Sequence, residues 1–181
     1  MKLADLLAGP VIDAATGLLG RRLTSTVGGG TTASVILTEV EAYGAEDDPA
    51  SHAYRGPTPR NEVMFGPPGG LYVYRSYGIH WCMNVVCGAK GSPRAVLLRG
   101  GVAVAGIELM EARRGRSVNL SDGPGKLCQA LGVSEDQDGT NVFDGPIRIS
   151  GEPVPGSIEA SPRIGISKAT ERQWRFVLTD Y

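Results

Sequence analysis

Apolar positions along this chain fall into short blocks whose spacing changes from helical to strand-like and back. Between Pro10 and Leu19 the residues Val11, Ile12, Ala15, Leu18 and Leu19 recur with a helical period, and Gly20 ends the pattern, which predicts a short helix. Gly28-Gly29-Gly30 reads as a turn before the strongest strand signal, Ala33 to Ala42. From Gly44 to Pro68 the chain is rich in Pro, Gly, Asp and Arg, too irregular for a regular element, and long loops in compact domains are often functional. Leu71–Tyr77 and Ile79–Cys87 read as two strands joined around Tyr77-Gly78, and Arg94–Leu98 as a continuous, buried strand. A helix is predicted over Ala105–Arg114, whose basic last turn suits the helix dipole, and another over Lys126–Leu131, started by Asp122-Gly123-Pro124 and stopped by Gly132. Short strands, Pro146–Ser150 and Arg175–Thr179, end the pattern, and there is no internal repeat or clear linker.

With 181 residues, 41% of them hydrophobic, the chain is long enough to bury one core and is read as a single domain, residues 1–181. No apolar stretch reaches the roughly 20 residues that a membrane span needs. Met1-Lys2-Leu3-Ala4-Asp5 lacks the apolar block of a secretory signal, so an intracellular protein (cytoplasm, nucleoid or nucleus) without membrane association is expected, in monomeric form. Cys82, Cys87 and Cys128 are an odd set without Cys-x-x-Cys spacing, which argues for reduced thiols in a core. His52 and His80 are the only histidines, and the run Glu46, Asp47, Asp48, His52 matches no metal-binding pattern, so no metal is expected. The net charge of −1 conceals a polarised chain: Arg55 to Lys126 carries +6 and the remainder −7. That distribution permits a phosphate-facing surface without demanding one.

The chemistry concentrates in two places. In Thr38-Glu39-Val40-Glu41-Ala42-Tyr43 the two-residue period of a strand points Glu41 and Tyr43 to one face, an acid or base beside a stacking surface. Leu71-Tyr72-Val73-Tyr74-Arg75-Ser76-Tyr77-Gly78 then gathers three tyrosines in a chain otherwise poor in aromatics. A carboxylate next to such rings suits a flat substrate. For a nucleoside with an alkylated, cationic base, one carboxylate can activate water and also stabilise the oxocarbenium-like sugar left as the base departs. A ring at a hairpin tip, Tyr77, suits a wedge filling the space vacated by an extruded base. Two other readings stay open on these residues: a nucleic-acid-binding module that stacks bases without catalysis, and an O-glycosidase using Glu39 and Glu41, which lie about 7 Å apart by strand rise.

Ten strings recur in the order of one known family: Glu39-Val40-Glu41-Ala42-Tyr43, Ser51-His52, Thr58-Pro59-Arg60-Asn61, Met64-Phe65, Leu71-Tyr72-Val73-Tyr74, Tyr77-Gly78, Cys82-Met83-Asn84, Val96-Leu97-Leu98-Arg99, Gly123 to Leu131, and Arg163-Ile164-Gly165-Ile166. From about Ala15 to its end the chain resembles the alkyladenine (3-methyladenine) DNA glycosylases. The resemblance implies a mixed α+β domain built on a curved, mostly antiparallel sheet with short flanking helices and a protruding hairpin. It implies Glu41 as the carboxylate that positions and deprotonates the attacking water, and Arg99 as an arginine holding that water and a nearby phosphate. Tyr43, His52 and Tyr74 match the pocket for the flipped base, Tyr77 the intercalated ring, and Asn84 a side chain crowding the exocyclic amino group of guanine. The partner implied is double-stranded DNA containing damaged purines (3-methyladenine, 7-methylguanine, hypoxanthine), the product an abasic site, and no metal or organic cofactor takes part. No lysine lies in the matched pocket strings, so a monofunctional enzyme is expected. The acids Glu46, Asp47 and Asp48, and the polar stretch Ser167-Lys168-Ala169-Thr170, depart from the family pattern and bear on substrate preference.

Overall fold

A computed structural model describes residues 1–181. Eight strands form one curled sheet in which every neighbouring pair is antiparallel, in the order β3 (Leu71–Ser76), β4 (His80–Cys87), β5 (Arg94–Ala105), β2 (Ala33–Tyr43), β1 (Arg22–Ser25), β6 (Ile147–Ser150). β2 is the spine. It pairs with β5 along its length, with β1 through Ala33–Ile36, and with β8 (Arg175–Thr179) through Glu39–Glu41; β7 (Ser157–Ser161) pairs outside β8. The mixed α+β fold is thus as expected from the resemblance. No helix is long and apolar enough to cross a membrane.

Four short helices, α1 (Leu3–Ala8), α2 (Val11–Leu18), α3 (Ile107–Arg114) and α4 (Pro124–Leu131), accompany the sheet. α2 buries Val11, Ala14, Ala15 and Leu18, one stripe at helical spacing, and α4 buries Leu127, Cys128, Ala130 and Leu131. Pro124 opens α4 and Gly132, at φ 71°, closes it, as the sequence predicts. These stripes join Val40, Ala42, Val73, Met83, Val85, Val96 and Leu98 in the main core. Each fully buried leucine there contributes about 2 kcal/mol. All three cysteines are free and buried.

The structure corrects the predicted boundaries where local signals are weak. β5 runs to Ala105 rather than stopping at Leu98, and α3 therefore starts at Ile107. Arg99-Gly100-Gly101 hid the continuation. A Cβ on Gly101 would come within 2.6 Å of the Ile36 carbonyl, opposite the irregular register at Leu37–Glu39, so glycine marks a close crossing of two strands and not the end of one. The sequence pattern does not single out α1, β1 and β7: α1 is a helix of only six residues, β1 is four residues long, and β7 is an almost wholly exposed edge strand.

The β3–β4 hairpin leaves the body of the sheet. Leu71, Tyr72 and Val73 are buried at its base, whereas Tyr77 at the tip is 89% exposed. The Ile79 amide donates to the Ser76 carbonyl at 3.0 Å, and Tyr77 (φ 50°) and Gly78 (φ 68°) both have positive φ, the requirement of a type I′ turn. For tyrosine that backbone is unfavourable, and uncommon φ of this kind collects at functional positions.

Candidate active site

Strand register assembles the site. Reading across β3, β4, β5, β2 and β8, the directly opposed residues are Tyr72, Asn84, Leu97, Glu41 and Arg175. Opposed residues share a face, as do residues two apart on one strand, so Tyr74, Cys82, Arg99 and Tyr43 lie on the same side. That face lines a cavity of about 700 Å³, while the alternate residues enter the main core. The cavity is closed by the loop after β2 (Ser51, His52, Tyr54, Arg60), by Arg75 and Tyr77 of the hairpin, and by residues 164–168. Of the expected residues, Tyr43, His52, Tyr74, Tyr77, Asn84 and Arg99 all line it.

Glu41 lies just behind this wall and is fully buried. Its Oε2 accepts from the Tyr43 hydroxyl at 2.9 Å, its Oε1 accepts from the Ile164 amide at 2.8 Å, and Arg99 Nη1 stands 3.3 Å from Oε1. Three converging donors suit an acceptor-only carboxylate. Tyr43, Ile164 and Arg99 line the cavity, so Glu41 is one residue removed from the space a ligand would fill. Burial, then the charge of Glu41, pushes the Tyr43 phenol far up, which keeps it a neutral donor.

Glu39 accepts on one oxygen from Arg99 Nε and from Arg175 Nε, each at 2.7 Å, so it orients Arg99, and it does not line the cavity. Burial raises the Glu39 carboxyl, yet the two arginines outweigh it and hold it below the ordinary 4.5. A carboxyl lowered on folding stabilises the protein above its unfolded pKa, and that contribution is lost as the pH falls through the folded one. Glu39→Gln should therefore lower the melting temperature at pH 7, with the gap to the parent narrowing once the pH drops below the ordinary carboxyl value. A gap that stays constant down to pH 3, roughly below the carboxyl range, would contradict this.

Further along the same face, toward the hairpin, the lining is aromatic. The His52 ring lies 4.5 Å from Tyr74 at 69°, and Tyr72 and Tyr74 stack at 5.5 Å. His52 Nδ1 is 3.0 Å from the Tyr72 hydroxyl. His52 is open to solvent at the cavity mouth but walled behind; that desolvation, followed by the Arg60 charge, lowers its pKa, so the imidazole is neutral at pH 7. Tyr72, given no role from sequence, is thus the partner that fixes the His52 ring, its own phenol pushed up to about 12 by burial. Asn84 is buried at the cavity floor, and its Nδ2 donates to the Tyr72 carbonyl at 3.2 Å.

Basic residues from the positively charged segment are put to different uses. Arg55, Arg60, Arg75 and Arg99 edge the cavity, joined by Lys168 from outside that segment. Arg113 instead donates to the carbonyls of Val27 and Ala130, a structural use the charge count does not distinguish. The loop acids do not converge: Asp47 faces Arg172, whereas Asp48 turns inward to Arg163. Sequence reading missed Ile164, Asp48 and Arg163. Only the string Arg163 to Ile166 hinted at two of them, because their roles depend on a loop more than a hundred residues from Glu41 in sequence.

The fold and site together are a curled antiparallel sheet carrying an aromatic cavity, a buried carboxylate and a projecting tyrosine, and comparison with known families says which proteins share them. The methylpurine-DNA glycosylase family model matches residues 5–181, and the chain belongs to that family. Proteins carrying the name "Putative 3-methyladenine DNA glycosylase" are close to it in sequence. The one from Frankia casuarinae is 50% identical over 189 residues, covering 96% of this chain and 87% of that protein. Those from Rhodopseudomonas palustris and Mycolicibacterium fortuitum are each 49% identical, covering 94% and 92% of this chain and 81% and 88% of their own lengths. The protein is therefore a DNA N-glycosylase, an enzyme of base excision repair, and neither the non-catalytic module nor the O-glycosidase reading survives.

Proposed function

We propose that this glycosylase flips 3-methyladenine, 7-methylguanine and hypoxanthine out of duplex DNA and cleaves their N-glycosidic bonds with a water activated by Glu41, leaving an abasic site. The observation that carries the proposal is the convergence of Tyr43, Arg99 and the Ile164 amide on the Glu41 carboxylate at the edge of an aromatic cavity of about 700 Å³. The extruded base stacks between Tyr43 on one side and His52 with Tyr74 on the other, and Tyr77 fills the gap left in the duplex. Damaged bases pair and stack poorly, so their extrusion costs less and selectivity begins before the pocket is reached.

Within the pocket, Asn84 crowds the exocyclic amino group of guanine, so normal guanine meets a clash. Its bond to the Tyr72 carbonyl supports this role, because a tethered side chain cannot swing away. Glu41 takes the proton of the water as its oxygen attacks C1′ of the deoxyribose; the C1′–N bond breaks and its electron pair leaves with the base. The carboxylate also stabilises the positive charge that grows on the sugar. In the free protein Glu41 is closed off by Tyr43 and Ile164, so admitting the water requires one of them to shift as the nucleotide enters; catalytic hydrogen bonds often reach their final geometry only in the complex. Arg99, held by Glu39, keeps its charge beside the water and a nearby phosphate.

The test is a duplex with one hypoxanthine, incubated with the protein and then treated with hot alkali, with free base measured in parallel for each of the three lesions. Expected are base release and scission only after alkali. Release from none of the three would overturn the proposal. Scission without alkali would instead assign a lyase step to Lys168, the exposed amine at the cavity edge, and end the monofunctional part of the reading.

A further inference from the structure

Behind the cavity wall lies an ion pair that the reaction as described does not use. Arg163 and Asp48 are completely buried side chains joined in a fork, Nη1 to Oδ2 at 2.6 Å and Nη2 to Oδ1 at 2.8 Å. Arg163 Nη1 also donates to the Ala42 carbonyl at 3.0 Å, and the guanidinium lies 4.7 Å from the centre of the Tyr43 ring. Tyr43 faces the cavity and Arg163 does not, so the cation backs the ring from inside. Asp48 in turn accepts from the amides of Gly44 at 2.8 Å and Ala50 at 3.2 Å, which folds the loop carrying His52 against the end of β2. The fold-back is tight: a Cβ on Gly44 would lie 2.9 Å from the Asp48 Cβ.

Burying two charges is a poor way to gain stability, since an apolar pair of the same volume often does as well. A bidentate arginine–carboxylate fork gives direction, because its planar geometry fixes both partners at once. Here the direction matters at two points. Residue 164, adjacent to Arg163, supplies the amide on Glu41, and Tyr43, stacked on Arg163, supplies the hydroxyl on the same carboxylate.

We infer that Asp48 and Arg163 are positioning residues of the glycosylase reaction: their fork holds Tyr43 and the Ile164 amide in the places from which both orient the catalytic carboxylate. The inference rests on the assignment of Glu41 as the general base. It concerns the rate of bond cleavage on bound DNA, not the binding of DNA.

The variant for the test is Asp48→Asn together with Arg163→Met, which removes both charges and leaves neither stranded. Single-turnover excision of hypoxanthine is measured with enzyme in excess, beside the Kd for a duplex carrying a stable abasic-site analogue and the melting temperature. Expected is a loss of roughly 100-fold in the excision rate, the scale set by a misplacement of about 1 Å, at an unchanged Kd and a melting temperature close to the parent's. Tyr43→Phe, made in both backgrounds, supplies a readout that a merely structural role would not move. It should slow the parent but add little to the double variant, because a hydroxyl no longer aimed at Glu41 has nothing left to lose. Excision by the double variant at the parent's rate, or a full additional loss from Tyr43→Phe in it, overturns the inference. Should the double variant not fold, Arg163→Lys decides: lysine keeps the charge but cannot grip both Asp48 oxygens and the Ala42 carbonyl, so its rate must fall at unchanged Kd, and a parental rate overturns the inference. Failure of the underlying reading is distinguishable, since Glu41→Gln alone would then excise at the parental rate.

Discussion

Replacing Glu41 by glutamine should reduce excision of hypoxanthine by about 10²- to 10⁴-fold, the range associated with a positioned general base, while leaving the protein folded and able to bind DNA. The substitution is nearly isosteric, and the amide oxygen can still accept from Ile164 and face Arg99. Only the Tyr43 contact must reverse, with the phenol turning to accept where it now donates. Arg99 keeps Glu39 as a charged partner, so no uncompensated buried cation is created. In the proposed mechanism, what disappears is the acceptor of the water's proton and the negative charge that stabilises the sugar. Free base released in single-turnover reactions measures the loss, and a gel-shift titration on the same duplex measures binding. A Glu41→Gln protein that cleaves at the parental rate would remove the carboxylate from the mechanism, whatever its geometry.

The second large effect belongs to Tyr77. Its ring is 89% exposed at the tip of the hairpin, so Tyr77→Ser should leave the core and the melting temperature untouched. Extruding a paired nucleotide costs a few kcal/mol, and each 1.4 kcal/mol corresponds to about a tenfold change. Loss of the wedge should therefore slow excision from a fully paired lesion by roughly 10- to 100-fold, and by much less when the lesion is already unpaired in a bulge or a single strand. The comparison of the two substrates is the measurement. Equal losses on both would mean that Tyr77 contributes to general DNA contact and not to filling the vacated stack.

Much of this site was legible because it is written at a spacing of two. Glu41 and Tyr43 lie two apart on β2, as do Tyr72 and Tyr74 on β3, and alternation alone assigns each pair to one face. Tyr77-Gly78 announced its turn in the same local way. The resemblance added Arg99, His52 and Asn84, which no local pattern singles out, and all three line the cavity. Asp48 is the instructive failure. In sequence it is one of three consecutive acids and reads like its neighbours Glu46 and Asp47, yet those two are exposed and Asp48 is buried in a fork with Arg163. Burial of a charge is decided by where its partner arrives, and that partner comes from a distant loop.

The residues themselves determined the longer central strands, the stripes of α2 and α4, the turn that lifts Tyr77 and the pairing of acid with aromatic ring, because backbone periodicity and turn chemistry act over a few neighbours. The tertiary structure decided the register that sets Tyr72, Asn84, Leu97 and Glu41 in one row across four strands, and the return of Ile164 and Arg163 onto Glu41, Tyr43 and Asp48. Those contacts join positions far apart in the chain, and their strength comes from the exclusion of water by the whole fold, a property that no short segment possesses.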